Sequence, residues 1–423
     1  MKKYIYTGFL ALVLILTSSH SFAKFTITPG IDVRVEYNDN IFLEESNTDE
    51  DFITTFRPNI VLEYAPSSTF DLMFEYGFNY RNYSDHSAEN EEAHMLELNA
   101  TARPFKRVLI EVSDIYSRVP IDIRDTFAPD NTITNMTDSN SFLISTSVTI
   151  PLTATVSTKV GYSYNDLWYE NEGSIDSETH SASVALSYMI TPKITGELKY
   201  NFSAYRPDMT GTPGTVVKYD RNDGSVAIEY RVASNLTVDG ELGESWLDYD
   251  TRDNTRVSFW NAGAEYTLKS VSDMSVGIKY SRYLNDSSTV GTSKNHRGDL
   301  FFRAGNILKD DRLIGHQIIV NPYFDEATFI NIDRKDKLKG IKVDISQPVT
   351  TKVTLLLNGL WEDQEFLPEN EKVQRYSLGC GFEYAFSPKI AADIGYRYNG
   401  RDSDVDIEDF NNNIVWLQAK VSF

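Results

Sequence analysis

The chain has 423 residues and a formal net charge of −21 at pH 7, and this acidic balance argues against nucleic acid as a partner. Its single cysteine, Cys380, excludes a disulfide framework. Its 25 tyrosines and 23 phenylalanines are too many for a disordered acidic protein.

The first 23 residues are typical of a secretory signal peptide. Lys2 and Lys3 precede the apolar run YIYTGFLALVLIL, and a small-x-small sequence ends at Ala23. We expect cleavage after Ala23, so that residues 24–423 form a single mature domain. A short membrane anchor is the alternative, but the run is too short to span a bilayer comfortably. No later segment has the roughly 18 consecutive apolar residues of a transmembrane helix.

The mature sequence opens with the stretch TPGIDVRVEYNDNIF, residues 28–42. Its first part alternates apolar residues with Asp32, Arg34 and Glu36, which predicts a strand with one apolar and one polar face. The acidic and amide cluster at residues 36–40 has the composition of a metal or sugar site. We interpret it instead as the rim of a barrel, where the first strand enters a polar loop.

The same period-two alternation recurs along the chain. It is clearest in residues 72–80, 156–165, 194–203 and 390–399. Many of these runs last about ten to twelve residues, whereas strands of soluble proteins average about five or six and a tilted membrane-spanning strand needs about nine to eleven. The alternation therefore predicts strands that cross a membrane, with apolar residues toward lipid and polar residues toward a lumen.

The connections between these strands are of two kinds, and the two kinds alternate. Short turns, many of them with proline, separate longer acidic loops. The turns are marked by Pro66, Pro104, Pro151, Pro192, Ser234, Ser272, Asp310, Pro348 and Pro388. This order predicts an all-β, up-and-down antiparallel transmembrane β-barrel of about 20 strands, about 18 being the nearest alternative, with short periplasmic turns and long acidic extracellular loops. Pro58 and Pro322 fall inside predicted strands, where proline is disfavoured, and are the weakest points of the count.

The chain ends in NIVWLQAKVSF, an alternating strand with a terminal aromatic residue. This end resembles the C-terminal assembly signal of Gram-negative outer-membrane β-barrels, which ends in phenylalanine. The matching positions are Leu417, Ala419, Val421 and Phe423. The resemblance implies insertion by the barrel assembly machinery into the outer membrane, among its lipids and lipopolysaccharide.

The start of the mature chain carries a second resemblance. A signal peptide, a strand that begins with Pro29 and Gly30, and the stretch EYNDNIF together resemble the β-barrel porin 2 family. Members of that family often accompany exopolysaccharide synthesis and exosortase systems. The resemblance implies a conduit that exports an extracellular polysaccharide, with the polysaccharide and its export apparatus as partners. A general diffusion porin for small solutes and a surface-exposed binding barrel with a plugged lumen are the alternatives.

If the apolar faces meet lipid, the opposite faces line the lumen. A polar interior of mixed charge suits a water-filled passage, because a lipid-facing Arg or Lys at mid-bilayer would cost about 2–4 kcal/mol. The residues predicted to line the lumen are Arg34, Glu36, Glu75, Arg81, Lys159, Glu197, Lys199, Arg231, Lys279, Lys342, Asp393 and Arg397. Salt bridges that only stiffen the wall are the alternative role for each of them. The aromatic residues on the same face are Tyr205, Tyr283 and Trp416.

Catalytic and metal-binding motifs are weak. The histidines show no metal-ligand spacing and there is no G-x-S-x-G elbow, so we predict no enzymatic activity and no cofactor. His86 and His94, beside the acidic run SAENEEA, are the only candidates for a barrel enzyme. Asp402, Asp404 and Asp406 resemble the start of a calcium loop that lacks its glycine and its final glutamate. We interpret them as a solvated acidic loop, with weak surface Ca²⁺ or Mg²⁺ binding as the alternative.

Overall fold

The computed structural model describes residues 24–128, 131–171, 173–208, 217–268, 274–287, 291–305, 317–330, 332–404 and 408–423. The predicted signal peptide, the turn markers Ser272 and Asp310, and Asp406 of the acidic loop lie outside these residues. Among the residues described, no helix is long and apolar enough to cross a bilayer.

The described parts of the chain form 20 strands, with one short 3-10 turn at Ser87–Glu89. The first ten strands are β1 (Lys24–Asn38), β2 (Asp51–Ser67), β3 (Phe70–Tyr83), β4 (Glu91–Phe105), β5 (Val108–Pro120), β6 (Met136–Pro151), β7 (Val156–Tyr169), β8 (Ser177–Thr191), β9 (Ile194–Pro207) and β10 (Tyr219–Ala233). The second ten are β11 (Leu236–Tyr249), β12 (Thr255–Leu268), β13 (Met274–Ser287), β14 (Gly291–Ala304), β15 (Gln317–Phe329), β16 (Lys335–Pro348), β17 (Val353–Leu367), β18 (Glu371–Ser387), β19 (Ile390–Ser403) and β20 (Phe410–Ser422).

These strands form one antiparallel sheet in which each strand pairs with the next along the chain. β20 also pairs with β1, from Gly30 opposite Ser422 to Asn38 opposite Ile414, and this seam closes the sheet into a barrel. The prediction of an all-β, up-and-down barrel of about 20 strands is confirmed, and the alternative of about 18 strands is wrong.

The two prolines inside predicted strands do not reduce the count. Pro58 lies in β2 and pairs with β1 opposite Ile31, whereas the β2–β3 ladder skips this rung and resumes in the same register. Pro322 interrupts the β14–β15 ladder in the same way. There the side-chain amide of Asn321 donates to the carbonyl of Leu300 at 3.0 Å. Proline lacks the N–H that one ladder needs, so each proline weakens one side of the pairing without ending the strand.

The strands are longer than the alternation predicts, and several outer loops are correspondingly shorter. Strand lengths run from 13 to 17 residues, more than the roughly nine to eleven that span a bilayer. Only residues 368–370 separate β17 from β18, and only residues 250–254 separate β11 from β12. Polar side chains are compatible with both a paired strand and a loop, so the sequence places these boundaries too early. The wall therefore extends beyond the lipid band at the loop end.

Apolar side chains cover the outside of the barrel. Leu242 is 65 % exposed, Val226 is 61 % exposed and Leu417 is 59 % exposed. They alternate along their strands with polar residues that face the interior, which inverts the pattern of a soluble barrel. So large an exposed apolar surface is stable when lipid covers it, and this places the wall in a bilayer.

Candidate functional site

The first group of predicted lumen residues lies on the inner wall beside the β1–β20 seam. The Glu36 side chain is almost fully buried, and its carboxylate contacts Arg34 at 2.6 Å and Arg81 at 2.8 Å. Arg81 belongs to β3, so this triad connects β1 with β3, which are separated by β2. The neighbouring Val33 and Val35 are exposed on the opposite, lipid-facing side.

A second group lies on β9, β10 and β11. Lys199 contacts Glu197 at 3.5 Å and Glu241 at 3.4 Å, while Arg231 pairs with Glu229 at 2.9 Å. All five residues border an inner-wall recess of about 400 Å³. Acidic and basic side chains alternate here. The wall therefore offers hydrogen-bonding groups of both charges, and its electrostatic potential is not of a single sign.

The other predicted lumen residues have fewer partners. Lys342 contacts Asp344 at 3.5 Å and borders a recess of about 370 Å³ on the β14–β17 wall. Within the described residues, no ion pair is formed by Glu75, Lys159 or Lys279. These side chains are therefore available to solutes, whereas the Glu36 triad mainly braces the wall.

Trp416 organises the inner wall at the seam. Its indole N–H donates to Asp393 at 2.8 Å, and its ring centre lies 4.7 Å from the guanidinium of Arg34 and 5.9 Å from that of Arg397. A Cβ on Gly395 would lie 2.2 Å from the ring, so the indole packs over a strand position that only glycine leaves open. The covered ring is a poor stacking platform for a passing solute.

The β5–β6 loop crosses the mouth of the barrel at the loop end. We call residues 121–135 the mouth strap, of which residues 129 and 130 lie outside the described part. The strap leaves the wall between β5 and β6 and reaches β16, half-way round the ring of 20 strands. There Arg124 contacts Asp336 at 2.6 Å, and Arg334 contacts Asp122 at 3.1 Å. The loop therefore spans the lumen from wall to wall.

Two further arginines hold the middle of the mouth strap. Arg375 of β18 donates to the carbonyls of Ile123 and Asp125 at 2.7 and 2.9 Å. Its guanidinium also lies 4.3 Å from the ring centre of Phe127. Arg401 of β19, which is fully buried, donates to a threonine hydroxyl of the strap at 3.0 Å. Hydrogen bonds from charged donors are stronger than neutral ones, so these contacts fix the position of the strap.

On the near side the mouth strap packs against the β1–β2 loop. Asn131 donates to the carbonyl of Ile41 at 2.6 Å. Ile41 in turn belongs to a buried apolar cluster with Ile53 and Tyr83. The strap is thus anchored at both walls, and it divides the mouth.

The charged groups that hold the mouth strap on the far wall stabilise each other's ionised form. Burial alone would raise the pKa of Asp122, but the hydrogen bond from Arg334 and the nearby Arg124 hold that pKa below its usual range. Burial would lower the pKa of Arg334, but its hydrogen bonds with Asp122 and Asp336 raise that pKa instead. Both groups therefore stay charged at neutral pH.

A second buried group lies at the loop end of the wall, between the β7–β8 loop and β13. We call it the mouth cluster, and its buried residues are Ile175, Tyr205, Tyr219, Leu247, Tyr249, Val257 and Leu284. The Tyr219 hydroxyl donates to the Asp286 carboxylate at 2.7 Å. Tyr205 is only 5 % exposed in this cluster, so it is covered and cannot stack on a solute in the lumen.

The sequence does not predict the mouth strap beyond a long polar loop. Its one local signal is the presence of Ile121, Ile123 and Phe127 in a segment that is otherwise polar. Apolar side chains in a loop indicate that the loop packs against something. They do not indicate which wall it reaches.

The acidic β19–β20 loop uses part of its charge inside the protein. Asp404 accepts the backbone N–H of Lys372 at 3.0 Å, and Glu408 contacts the buried Arg401. In the described part of the chain, no group of three His, Cys, Asp or Glu side chains could hold a metal ion. Asp406 of the calcium-loop hypothesis lies outside that part.

The two histidines considered for an enzyme lie in different places. His94 is on the outer face of β4, where its Nδ1 lies 2.9 Å from the Tyr76 hydroxyl. His86 is in the β3–β4 loop, where its Nδ1 lies 2.9 Å from the Asp51 carboxylate. The structure does not bring them together into one site.

We expect the β3–β4 loop to loosen as the pH rises through the raised pKa of His86. Asp51 accepts the backbone N–H groups of Ser84, Asp85 and His86. The hydrogen bond to Asp51 raises the pKa of the His86 imidazole above its usual value of 6.5. The ion pair is therefore complete below about pH 6.5 and is lost as the pH rises through the raised pKa. Hydrogen exchange at residues 84–86 should accelerate beyond the intrinsic pH effect, and His86→Asn should abolish that excess. Natural protein without the excess would contradict this assignment.

Neither a protein-family model nor a curated protein matches this sequence. Among solved structures, the ferric enterobactin receptor PfeA of Pseudomonas aeruginosa is similar with a TM-score of 0.52 and 8 % identity, over 96 % of this chain and 81 % of that one. The siderophore receptor PirA of the same organism has a TM-score of 0.48 and 11 % identity, over 94 % and 80 %. OmpT, an outer membrane protein of Vibrio cholerae, has a TM-score of 0.37 and 10 % identity, over 96 % and 99 %.

At such low identity the similarity to PfeA shows the fold alone. The closed antiparallel ring and the lipid-facing apolar band are those of an outer-membrane β-barrel. The chain is a barrel of this kind, and its wall lies in the outer membrane of a Gram-negative bacterium.

Proposed function

We propose that this outer-membrane β-barrel is a channel for hydrophilic solutes whose extracellular mouth is controlled by the mouth strap. The observation that carries the proposal is how the strap is held across a polar lumen. Arg124, Arg334 and Arg375 supply much of its attachment to the far wall. When the strap leaves that wall, these polar contacts can be exchanged for contacts with water, so the strap can open without leaving the arginines unsolvated.

The cargo that we propose is a secreted polysaccharide on its way out of the cell. This proposal is supported by the resemblance of the signal peptide and the EYNDNIF opening to the β-barrel porin 2 family. The inner wall also offers amide, hydroxyl and mixed-charge groups, as in the recess bordered by Asn321, Tyr323 and Glu362. Such a wall can form hydrogen bonds with a polar glycan, and it favours neither a cationic nor an anionic one. A diffusion porin for small solutes would use the same wall.

A second candidate is a surface barrel whose loops bind a partner while the lumen stays closed. The mouth strap and the mouth cluster favour this candidate, because both occupy the mouth. The two candidates differ in whether current can pass once the strap is displaced.

A strain that lacks this protein is expected to retain polysaccharide within its envelope. The measurement is the ratio of polysaccharide in the medium to polysaccharide in the periplasm, with the natural gene restored as the control. Normal secretion without the protein would overturn the proposed cargo. Channel function is tested separately by conductance, so the two proposals can fail independently.

A further inference from the structure

The far end of the mouth strap covers the recess of about 370 Å³ on the inner wall of β14 to β17. We call it the strap recess. The strap contributes Ile123 to its lining, and the wall contributes residues of four neighbouring strands. Small-molecule sites in proteins have volumes of about 300–1,000 Å³, so the strap recess is at the small end of that range.

A glycine in the middle of the wall makes room for the strap recess. Gly340 of β16 lies opposite Tyr323 of β15 on one side and opposite Glu362 of β17 on the other. A Cβ at this position would lie 2.6 Å from the carbonyl oxygen of Trp361 and 3.0 Å from the Tyr323 hydroxyl oxygen. Because Gly340 has no side chain, the Tyr323 hydroxyl reaches across β16 and donates a hydrogen bond to the Glu362 carboxylate.

Neighbouring side chains hold Tyr323 and Glu362 in place. The guanidinium of Arg297 lies 5.6 Å from the ring centre of Tyr323. The side-chain amide of Gln364 donates to the second carboxylate oxygen of Glu362 at 3.2 Å. A ligand would therefore meet an aromatic ring and a carboxylate whose positions are already fixed, which lowers the entropy cost of binding.

The other charged groups that border the strap recess also have partners within the protein. Asp325 contacts Arg297 at 3.6 Å, and Asp336 contacts Arg124 of the strap at 2.6 Å. Lys342 contacts a carboxylate of its own strand at 3.5 Å. The recess therefore favours an uncharged ligand over an anionic one, since both of its cations are already paired.

The strap recess combines apolar surface with hydrogen-bonding groups of both kinds. Tyr323, Ile123 and Leu338 provide the apolar surface, and carboxylate, amide and guanidinium groups lie beside them. A sugar ring has the matching character, because its C–H groups form an apolar face and its hydroxyl groups both donate and accept hydrogen bonds. A small number of polar groups placed around an apolar surface is typical of a ligand site.

A second inner-wall tyrosine lies next to the strap recess. Tyr283 of β13 is opposite Asn295 of β14, and Asn295 borders the recess. Tyr205 and Trp416, the other two aromatic residues that the sequence places on the lumen face, are covered by their neighbours. Tyr283 is partly exposed, so it can contact the next unit of a sugar chain whose first unit occupies the recess.

We propose that the strap recess is a sugar-binding subsite, and that it takes one unit of an uncharged polysaccharide beneath the strap. The Tyr323 ring packs against the C–H face of the sugar, Glu362 and Asp325 accept hydrogen bonds from its hydroxyl groups, and Arg297 donates to them. The inference rests on the proposed polysaccharide cargo, and it adds the position of the contact and the class of polymer.

The test measures binding of oligosaccharides to the full-length barrel in detergent by ligand-observed NMR titration. The probes are maltohexaose, cellohexaose and the hexamer of N-acetylglucosamine, with the hexamer of galacturonate as the anionic comparison. At least one uncharged hexamer is expected to bind about tenfold more tightly than the anionic one. Binding of none of the uncharged hexamers, or equal binding of the anionic one, would overturn the proposal.

Variants of Tyr323 locate the binding in the strap recess. Tyr323→Ala is expected to weaken binding of the uncharged hexamer about tenfold, because the aromatic surface is lost. Tyr323→Phe keeps the ring and should bind within about threefold of the natural barrel. The matched control is Tyr200→Ala, since the Tyr200 hydroxyl also has one side-chain acceptor, Asn222 at 2.6 Å, but the residue lies on the outer face.

Unchanged binding by a correctly folded Tyr323→Ala barrel would reject the strap recess as the site. The comparison of uncharged and anionic hexamers needs no variant, so it still decides the question if Tyr323→Ala does not fold. Binding is measured without current, and its failure is therefore distinguishable from failure of the channel. A barrel that conducts but binds no sugar would reject the subsite alone, whereas one that binds sugar but passes no current would reject the channel alone.

Discussion

Replacing residues 123–134 with a short glycine-serine link is expected to raise the single-channel conductance of the barrel several-fold. The mouth strap spans the lumen from the β5–β6 corner to β16, β18 and β19, and conductance depends on the narrowest cross-section of the water path. Without the strap, that path is limited by the inner wall and the mouth cluster. The measurement is the current through purified barrels in planar bilayers at fixed salt.

A point variant tests the same mechanism without shortening the chain. Arg375→Ala removes the hydrogen bonds to the carbonyls of Ile123 and Asp125. Each is worth about 1.5–3 kcal/mol, so the loss of both should shift the ratio of open to closed strap by roughly a hundredfold or more. Current traces should then show long open periods that are rare in the natural barrel.

The matched control for Arg375→Ala is Arg231→Ala. Arg231 is also an inward-facing arginine, but it pairs with Glu229 far from the strap, so its loss should leave the open fraction unchanged. If the strap-free barrel passes no current, the lumen is closed elsewhere. That result would reject the channel and favour the surface barrel with bound partners.

Deleting Phe423 is expected to lower the amount of assembled barrel in the outer membrane several-fold. The backbone N–H of Phe423 donates to the carbonyl of Pro29 at 2.9 Å, at the turn end of the β1–β20 seam. Its side chain is 59 % exposed toward lipid. The deletion therefore removes one hydrogen bond of the β1–β20 seam. It also removes the terminal aromatic side chain of the predicted assembly signal. The measurement is the heat-modifiable band of the folded barrel in membrane fractions.

Two substitutions separate the contributions of Phe423. Phe423→Ala keeps the backbone hydrogen bond and loses the aromatic ring, so a defect as large as that of the deletion would assign the effect to the ring. Phe423→Tyr should assemble like the natural chain. Phe105→Ala is the matched control, because Phe105 is 72 % exposed at the same end but lies outside the seam. Normal assembly of the deletion would contradict the assembly signal.

The comparison of sequence and structure is clearest at the opening stretch. Alternation in residues 31–37 predicts a strand that carries Arg34 and Glu36 on its polar face. In the structure these two side chains lie on the inner wall, while Val33 and Val35 face lipid. The polar end of the stretch is part of the rim, as predicted, with Asn40 donating to the carbonyl of Asn411 across the seam at 2.9 Å. The partners of this rim could not be predicted, because they lie 371 residues away along the chain.

The sequence by itself therefore determined the class of fold, the number of strands to within one hairpin and the face to which most side chains point. These properties are local, since successive side chains of a strand alternate between the two faces and a turn needs only a few residues. Tertiary structure alone decided where the strands end and where the mouth strap crosses the lumen. Arg375 and the Ile123 carbonyl that it binds are 252 residues apart. A contact of that kind depends on the closed geometry of the whole ring, because only closure brings β18 across the lumen from β5, and no local pattern specifies it.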